Sequence, residues 1–185
     1  MSTHDKFNFK FLGKFDTASF VEKVKTITEE EWNEFDLRQT IFEVHAATRT
    51  IPLLFNVDFS QPPLPYKFYD LFEDDVKKLE AFFTEWYGNG EMSRCIMVSL
   101  LAKSTVPVHV DNGEHLIKSH RHHIPLITNE AVIFQIGLER KNMKVGEIWE
   151  INNRTLHGLS NTSTERRIHI IADWQTEDRI VLDKT

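Results

Sequence analysis

The sequence has one cysteine, Cys95, among 185 residues, so no disulfide bond can form within the chain. No apolar run approaches the roughly 20 residues that span a membrane. The first residues also lack the apolar segment of a secretory signal peptide. These absences predict a reducing, cytoplasmic setting and argue against a membrane protein or a secreted disulfide scaffold.

The sequence also lacks an excess of positive charge. It has 22 basic and 28 acidic residues, which give a formal net charge of −6. No stripe of lysine or arginine runs along any predicted element. Because nucleic-acid binding depends on such basic surfaces, the composition argues against a nucleic-acid partner. A small molecule or a polypeptide is left as the expected substrate, and the composition does not indicate an oligomeric state.

The chain does have enough apolar material for a real core. Hydrophobic residues make up 41% of it, and 14 phenylalanines and 4 tryptophans are among them. A length of 185 residues suits a single domain. Within that domain, residues 1–90 mix helices and strands and are expected to support a β core over residues 91–175.

Periodicity predicts helices mainly in the first half. The clearest helix covers residues 73–87, where Val76, Leu79, Phe83 and Trp86 form an apolar stripe. Two shorter helices are expected, one over residues 16–26 and one that begins with a capping box at Thr28. Strands are expected over residues 7–15, 41–45 and 49–55.

In the second half, the sequence pattern predicts short strands, which are separated by Gly, Asn and Lys. Helices followed by many short strands predict a mostly β fold with flanking helices. The architecture expected from this order is a cupin-like jelly roll, or double-stranded β-helix. The predicted strands cover residues 94–102, 106–110, 122–127, 131–135, 147–151 and 167–172.

Three residues of the second half predict a metal site. His109 and Asp111 are two positions apart on a predicted strand, so their side chains point to the same face. The chain between His109 and His157 is long enough for several strands, which allows His157 to return to the same place. Two histidines and one carboxylate on one face of a metal leave positions open for other ligands, as in non-haem Fe(II) oxygenases.

Other histidines offer an alternative metal site. His115, His120 and His122 lie close together in the sequence and form a possible zinc cluster. Structural zinc sites usually use cysteine, and the lone Cys95 supplies no such set. We therefore expect these three histidines to lie in loops or to face outward. On the strand around them, Arg121 and His123 share the opposite face from His122.

An arginine near the end of the chain predicts an anion site. Arg167 begins a strand of isoleucines, where a buried guanidinium is costly unless an anion pairs with it. A planar guanidinium that binds a dicarboxylic acid would justify this position. The alternative is a surface ion pair with Glu165 or Asp173. The side chain of Arg166 points to the opposite side of the strand from that of Arg167, and we expect it at the surface.

These residues and their spacing resemble the aspartyl/asparaginyl β-hydroxylase family, which includes free-proline cis-hydroxylases. The resemblance covers about residues 94–174. It is carried by several spaced segments, which are His109-Val110-Asp111, residues 121–126, residues 146–153, His157, and Arg167-Ile168-His169 with Asp173.

The resemblance implies a double-stranded β-helix that uses Fe(II), 2-oxoglutarate and O2. It implies that His109, Asp111 and His157 are the iron ligands and catalytic centre, and that Arg167 holds the distal carboxylate of 2-oxoglutarate. It also implies that Arg121 and His123 lie near the other end of that co-substrate. Ser99 is expected to add a hydrogen bond to it.

The expected reaction is hydroxylation of an Asp, Asn or Pro target, as a free amino acid or as a residue of a polypeptide. Arg49 and Arg94 are the candidates for binding a substrate carboxylate, against the alternative that both are surface arginines. Two other functions remain open from the sequence. One is a non-catalytic cupin-type module that keeps the metal site, and the other is a zinc hydrolase with the same three ligands.

Overall fold

The computed structural model describes residues 7–57, 61–111 and 113–177, with only the backbone of Glu114. The chain is mostly β-structure with flanking helices around a jelly-roll core, as the order of predicted elements indicated. Among the described residues, no helix has the length and apolar character to cross a membrane.

Eleven strands in the described part of the chain form two antiparallel sheets. The strands are β1 (Phe9–Lys14), β2 (Thr48–Phe55), β3 (Leu64–Pro65), β4 (Gly90–Leu100), β5 (Ser104–His109), β6 (His120–Ile127), β7 (Val132–Ile136), β8 (Glu139–Lys141), β9 (Glu147–Ile151), β10 (His157–Asn161) and β11 (Arg167–Thr176). The large sheet has the order β1-β9-β6-β11-β4-β2-β3, and the small sheet has the order β5-β10-β7-β8.

Side-chain alternation on β11 divides the large sheet into two faces. Ile168, Ile170, Ala172 and Trp174 lie in the main hydrophobic core beneath the helices. The residues between them point to the opposite face, toward the small sheet. Both faces are therefore covered, which explains why eight consecutive residues of β11 are buried.

Three helices cover the outer face of the large sheet, and they are α1 (Ala18–Val24), α2 (Glu29–Trp32) and α4 (Tyr69–Tyr87). Two short helices, α3 (Leu37–Ile41) and α5 (Glu114–Lys118), lie beside the site described below. In α4, Phe72, Val76, Leu79 and Phe83 recur at helical spacing and are fully buried in the main core. Burial of each such side chain stabilises the fold by about 1.5–3 kcal/mol.

The expected stripe of α4 is wrong at its last position. Trp86 is 45% exposed, and its ring stacks on Phe82 at 6.4 Å between centroids instead of entering the core. The helix ends one residue later, and Gly88 turns the chain away with φ of +86°. Trp86 therefore points away from the core, while the next residue, Tyr87, reaches the sheet.

The strand expected over residues 41–45 is also wrong. The chain forms α3 there and then a 3-10 turn over Glu43–His45, with extended backbone at Phe42 between them. Ile41 and Phe42 are both 55% exposed, so this apolar run has no sheet to bury it. The consequence is functional, because this segment borders the site described below.

Two histidines expected to face outward are buried in a hydrogen-bonded network. His120 Nδ1 lies 2.6 Å from Glu150 Oε1, and His122 Nε2 lies 2.8 Å from the Tyr87 hydroxyl. Tyr87 also donates to Glu150 Oε2 at 2.9 Å. The helix and β9 thus supply the partners that allow these rings to be buried. We expected the side chain of His122 to point to the opposite face of the strand from those of Arg121 and His123. The register of β6 with β11 confirms this.

We expect the metal-free protein to lose stability in mild acid because His122, His123 and His169 are buried. Burial lowers the pKa of His122 to about 4 and the pKa of His123 and His169 well below the ordinary value. The unfolded chain therefore binds protons below about pH 6.5 that the folded chain does not bind. The stabilisation is complete above that pH, and falls by about 1.4 kcal/mol per histidine per pH unit below it.

Urea unfolding at pH 7.5 and pH 5.5 measures this effect. His122, His123 and His169 together should lower the free energy of unfolding by roughly 4 kcal/mol between the two values, and the lowered pKa values of His45, His115 and His157 add to this fall. His122→Gln should reduce the fall by about 1.4 kcal/mol, since one titrating ring is lost. Equal stability at the two pH values would show that these rings are not held neutral by burial.

Candidate metal centre and its pockets

Three side chains meet where the small sheet faces the large one. His109 ends β5 and is paired with His157, the first residue of β10, in the antiparallel register. Asp111 follows β5 by two residues. His109 Nε2 lies 3.7 Å from Asp111 Oδ1, and His157 Nε2 lies 3.8 Å from Asp111 Oδ2. One donor atom from each residue lies within 4.8 Å of the others, so the expected convergence is present.

A β-bulge next to His157 sets this approach. The register between β10 and β5 shifts between His157 and Leu159, which leaves Gly158 at the irregularity. A Cβ at Gly158 would lie 3.0 Å from the Val106 carbonyl oxygen and 3.2 Å from the Val108 nitrogen. Only a residue without a side chain lets the two strands approach this closely beside the metal donors.

Hydrogen bonds to the backbone fix both imidazole rings for metal binding. His109 Nδ1 donates to the Pro107 carbonyl at 2.8 Å, and His157 Nδ1 donates to the Thr155 carbonyl at 2.9 Å. Because a carbonyl oxygen only accepts, each Nδ1 carries the proton and each Nε2 keeps its lone pair. This is the arrangement that metal-binding histidines show, so the donor set suits a divalent cation.

The carboxylate of Asp111 is held by Arg121 of β6. Arg121 donates from Nη1 to Asp111 Oδ2, while its Nε and Nη2 donate to the two oxygens of Asp173 at 2.8 and 2.7 Å. Burial alone would raise the pKa of Asp111, but Arg121 and the two imidazoles outweigh it and hold the pKa well below its usual value. Asp111 is therefore ionised, with its Oδ1 free of Arg121 and directed toward His109.

Arg167, at the start of β11, is a buried guanidinium without a carboxylate partner among the described residues. It is 1% exposed, and Nη2 lies 3.4 Å from His123 Nδ1. Its Nε has no hydrogen-bond partner in the described part of the chain. Burial lowers the pKa of Arg167 to about 9, and no carboxylate opposes that effect. The group is thus a ready binding site for an anion.

Arg167 and the three metal donors line one pocket, here called the inner pocket, whose empty volume of about 460 Å³ includes space open to solvent. Its walls are mostly apolar. Phe134 lies almost parallel to the His157 ring at 6.1 Å between centroids. Val98, Val106, Leu159 and Ile171 complete the apolar lining.

A second, wider cleft opens on the other side of the metal donors. His109, Asp111 and Arg121 border it as well, so one set of donors faces both spaces. Its empty volume is about 1290 Å³, part of which opens to solvent. Arg94 lines this cleft, with its guanidinium 5.0 Å from the centre of the Phe55 ring.

The other site residues expected from the sequence divide between the two faces of the large sheet. Arg121 and His123 face the metal donors, and His123 lies beside Arg167. Arg94 also faces this side. Ser99 and Arg49 do not, and both expectations need correction.

Strand pairing places Ser99 and Arg49 on the helix-covered face. Ser99 is paired with Ile168 on one side and with Arg49 on the other, and Ile168 belongs to the main core. Arg49 donates to Asn33 Oδ1 at 2.6 Å, away from the metal donors. The sequence alone does not show whether the side chains of Ser99 and Arg167 point to the same face of the sheet. The pairing of β4 with β11 shows that they point to opposite faces.

Sequence reasoning missed Arg38 and His45, which line both pockets. They come from α3 and the 3-10 turn, in the segment expected to be a strand. The one available signal was an arginine between Leu37 and Ile41 in a short apolar run, which is not specific. Tertiary contacts with β2 and β5 bring both residues to the site.

A model of the family described as aspartyl/asparaginyl beta-hydroxylase matches residues 75–177, more than half of the 185-residue chain. The chain belongs to this family. It is therefore a hydroxylase of the 2-oxoglutarate-dependent non-haem iron dioxygenases, for which Fe(II), 2-oxoglutarate and O2 are the cofactor and co-substrates. None of the curated proteins compared with it matches its sequence.

Solved structures show the fold that the hydroxylase shares. An oxidoreductase of the 2OG-Fe(II) oxygenase family from Burkholderia pseudomallei has 11% identity and a TM-score of 0.66, over 92% of this chain and 85% of that one. A Trichoplax adhaerens prolyl hydroxylase, in complex with a hypoxia inducible factor peptide fragment, has 10% identity and a TM-score of 0.56, over 96% and 88%. A viral collagen prolyl hydroxylase from Paramecium Bursaria Chlorella virus-1 has 7% identity and a TM-score of 0.55, over 95% and 99%.

We expect Arg121→Ala to destabilise the hydroxylase strongly. The substitution leaves the carboxylates of Asp111 and Asp173 close together, with Asp173 fully buried, and takes away the guanidinium that binds both. Loss of one partner of a buried ion pair costs about 3–5 kcal/mol. Urea unfolding of the metal-free protein at pH 7.5 measures the change.

Arg166→Ala is the matched control. Arg166 is partly exposed and pairs with the exposed Glu29, so its loss should cost less than about 1 kcal/mol. If the two variants lost the same stability, the Arg121 bridge would have no special structural role.

Proposed function

We propose that the protein is a hydroxylase acting on an Asp, Asn or Pro target, with His109, Asp111 and His157 as the iron ligands and Arg167 as the anchor of 2-oxoglutarate. The observation that carries this proposal is the presence, in one pocket, of three metal donors and a buried guanidinium without a carboxylate partner among the described residues. The target is a free amino acid or a residue of a polypeptide. A cytoplasmic location fits the free, buried Cys95.

The donor set fits a ferrous ion. Two neutral imidazoles and one carboxylate on one face are the ligands that non-haem Fe(II) oxygenases use, and they leave positions open. The backbone carbonyls of Pro107 and Thr155 orient the rings through their Nδ1 protons. Arg121 holds one carboxylate oxygen of Asp111, which favours coordination through the other oxygen.

The fit to 2-oxoglutarate rests on charge and position. Its distal carboxylate would pair with the Arg167 guanidinium and supply the anion that this buried cation lacks. His123 lies against Arg167 and is neutral, because burial and the nearby guanidiniums lower its pKa. It can therefore orient the anchor, or the bound acid, without adding charge.

The chemical step depends on the bound group, and the protein supplies orientation and exclusion of water. Fe(II), 2-oxoglutarate and O2 together provide the oxidation that places a hydroxyl group on a C–H bond. Asp111 and the two histidines fix where that oxidation occurs. The apolar side chains of Val98, Phe134 and Ile171 line the inner pocket and would limit the access of water to the bound group.

Replacement of His157 by Ala should weaken metal binding by more than about 100-fold, since loss of an outer-shell partner alone costs 10–100-fold. Isothermal titration of the metal-free protein with Mn(II) or Fe(II) under anaerobic conditions measures this. His115→Ala is the control, because His115 borders the wide cleft but is not one of the three donors. Unchanged affinity in the His157 variant would remove this residue from the metal site.

Arg167→Met should weaken 2-oxoglutarate binding to the Mn(II)-loaded protein by roughly 10- to 100-fold, the effect of losing one charge-assisted contact. Arg166→Met is the neighbouring control and should leave the dissociation constant unchanged. Equal losses in both variants, or no loss in the Arg167 variant, would count against the anchor.

A panel assay tests the function as a whole. Free Asp, Asn and Pro, and a peptide library that contains them, are incubated with the Fe(II)-loaded protein, 2-oxoglutarate and O2. Succinate formation should depend on iron and rise with a hydroxylated target. If no target raised succinate formation while metal and 2-oxoglutarate bound normally, the non-catalytic module would be the better description.

A further inference from the structure

A second buried guanidinium beside the metal donors has no assigned role. Arg38 of α3 is buried and borders both the inner pocket and the wide cleft. Its Nη1 lies 3.3 Å from the Thr50 hydroxyl oxygen, and its Nη2 lies 3.1 Å from His45 Nε2. Both partners are uncharged, and no ion pair within 4.0 Å is found for Arg38 among the described residues.

His45 fixes the position of this guanidinium. Because a guanidinium only donates, His45 Nε2 must accept from Arg38, which places the proton of the ring on Nδ1. A ring that accepts at Nε2 and carries its proton on Nδ1 is neutral. The His45 ring also lies edge-on to His109 at 5.5 Å between centroids. Arg38 is therefore held next to a metal donor.

The charges around Arg38 favour an additional anion. Burial, Arg94 and Arg121 lower the pKa of Arg38 to about 9, so it is still a cation at neutral pH. Asp111 and Asp173 are both in contact with Arg121. Under the proposed function, the distal carboxylate of 2-oxoglutarate pairs with Arg167. Arg38 is then left as a buried cation that a further anion would stabilise.

The wall next to Arg38 is apolar and open to solvent. Leu37, Ile41 and Phe42 come from the same segment, and Phe55, Val57 and Leu116 also line the wide cleft. Ile41, Phe42 and Val57 are each more than half exposed. Contiguous exposed apolar side chains beside a site typically mark a ligand surface.

We propose that the Asp, Asn or Pro target has a free carboxylate, which binds Arg38, and a large apolar substituent, which lies along the Leu37–Phe42 wall of the wide cleft. This inference rests on the proposed function and narrows its substrate class. A free Asp, Asn or Pro would supply the anion but would leave the apolar wall exposed. A residue inside a peptide would cover the wall but offers a carboxylate only from a side chain.

Three related probes separate the two parts of the proposal. N-octanoylglycine carries both the carboxylate and the apolar chain, N-acetylglycine carries the carboxylate and the amide without the long chain, and N-octanoylglycinamide carries only the chain. Each is titrated calorimetrically into the Mn(II)-loaded protein under anaerobic conditions with saturating 2-oxoglutarate, which under the proposed function occupies the inner pocket. N-octanoylglycine should bind at least tenfold more tightly than either partial probe.

Two variants assign the binding to residues. Arg38→Gln should weaken N-octanoylglycine at least tenfold and leave 2-oxoglutarate binding unchanged, which also reports that the variant is folded. Phe42→Ser, at an exposed position, should weaken the binding of N-octanoylglycine and leave the binding of N-acetylglycine unchanged. Leu138→Ser is the matched control, since Leu138 is 98% exposed and does not border the cleft.

The outcomes are distinguishable. If the unmodified protein failed to bind 2-oxoglutarate, the proposed function itself would fail. If 2-oxoglutarate bound but the partial probes matched N-octanoylglycine, only the substrate class would be wrong. If Arg38→Gln weakened 2-oxoglutarate and spared the probe, Arg38 would belong to the co-substrate site and the inference would be overturned.

Discussion

The bridge that Arg121 makes between Asp111 and Asp173 is the contact on which the rest of the site depends. Asp173 lies at the centre of the large sheet, while Asp111 lies beyond the end of β5 in the small sheet. A guanidinium with directional donors on both ends sets the distance between the two sheets at this point. It also keeps Asp111 ionised in a buried place. A metal donor carried on a connecting segment is thereby fixed to the most buried strands of the fold.

The two faces of the large sheet have different roles, since one forms the hydrophobic core and the other carries the site residues. The face beneath the helices is filled with apolar side chains such as Phe20, Phe72 and Phe83, and it supplies most of the hydrophobic stabilisation. The opposite face carries arginines and histidines that would be costly in an ordinary core. Because strands alternate, β11 serves both purposes, with Ile170 on one side and Arg167 on the other.

Much of the site could be predicted from the second half of the sequence, because there the period of a strand decides which side chains meet. The shared face of His109 and Asp111, and that of Arg121 and His123, follows from their two-residue spacing on a strand. Arg167 is recognisable in the sequence as a single charge in an apolar strand. Ser99 and Arg49 could not be placed in the same way. Their parity depends on how β2 and β4 pair with β11, and the sequence alone does not specify that register. Arg38 reaches the site only through tertiary contacts, so no spacing rule could identify it.

The central assignment is that His109, Asp111 and His157 hold one metal ion whose co-substrate is anchored by Arg167. The most direct test is a crystal structure of the protein with Mn(II) and 2-oxoglutarate, with anomalous diffraction measured to locate the metal. We expect a single anomalous peak about 2.1 Å from both Nε2 atoms, a typical metal–imidazole distance, and 2-oxoglutarate density that reaches Arg167. A peak at His115 or His120, or a diacid bound away from Arg167, would contradict the assignment.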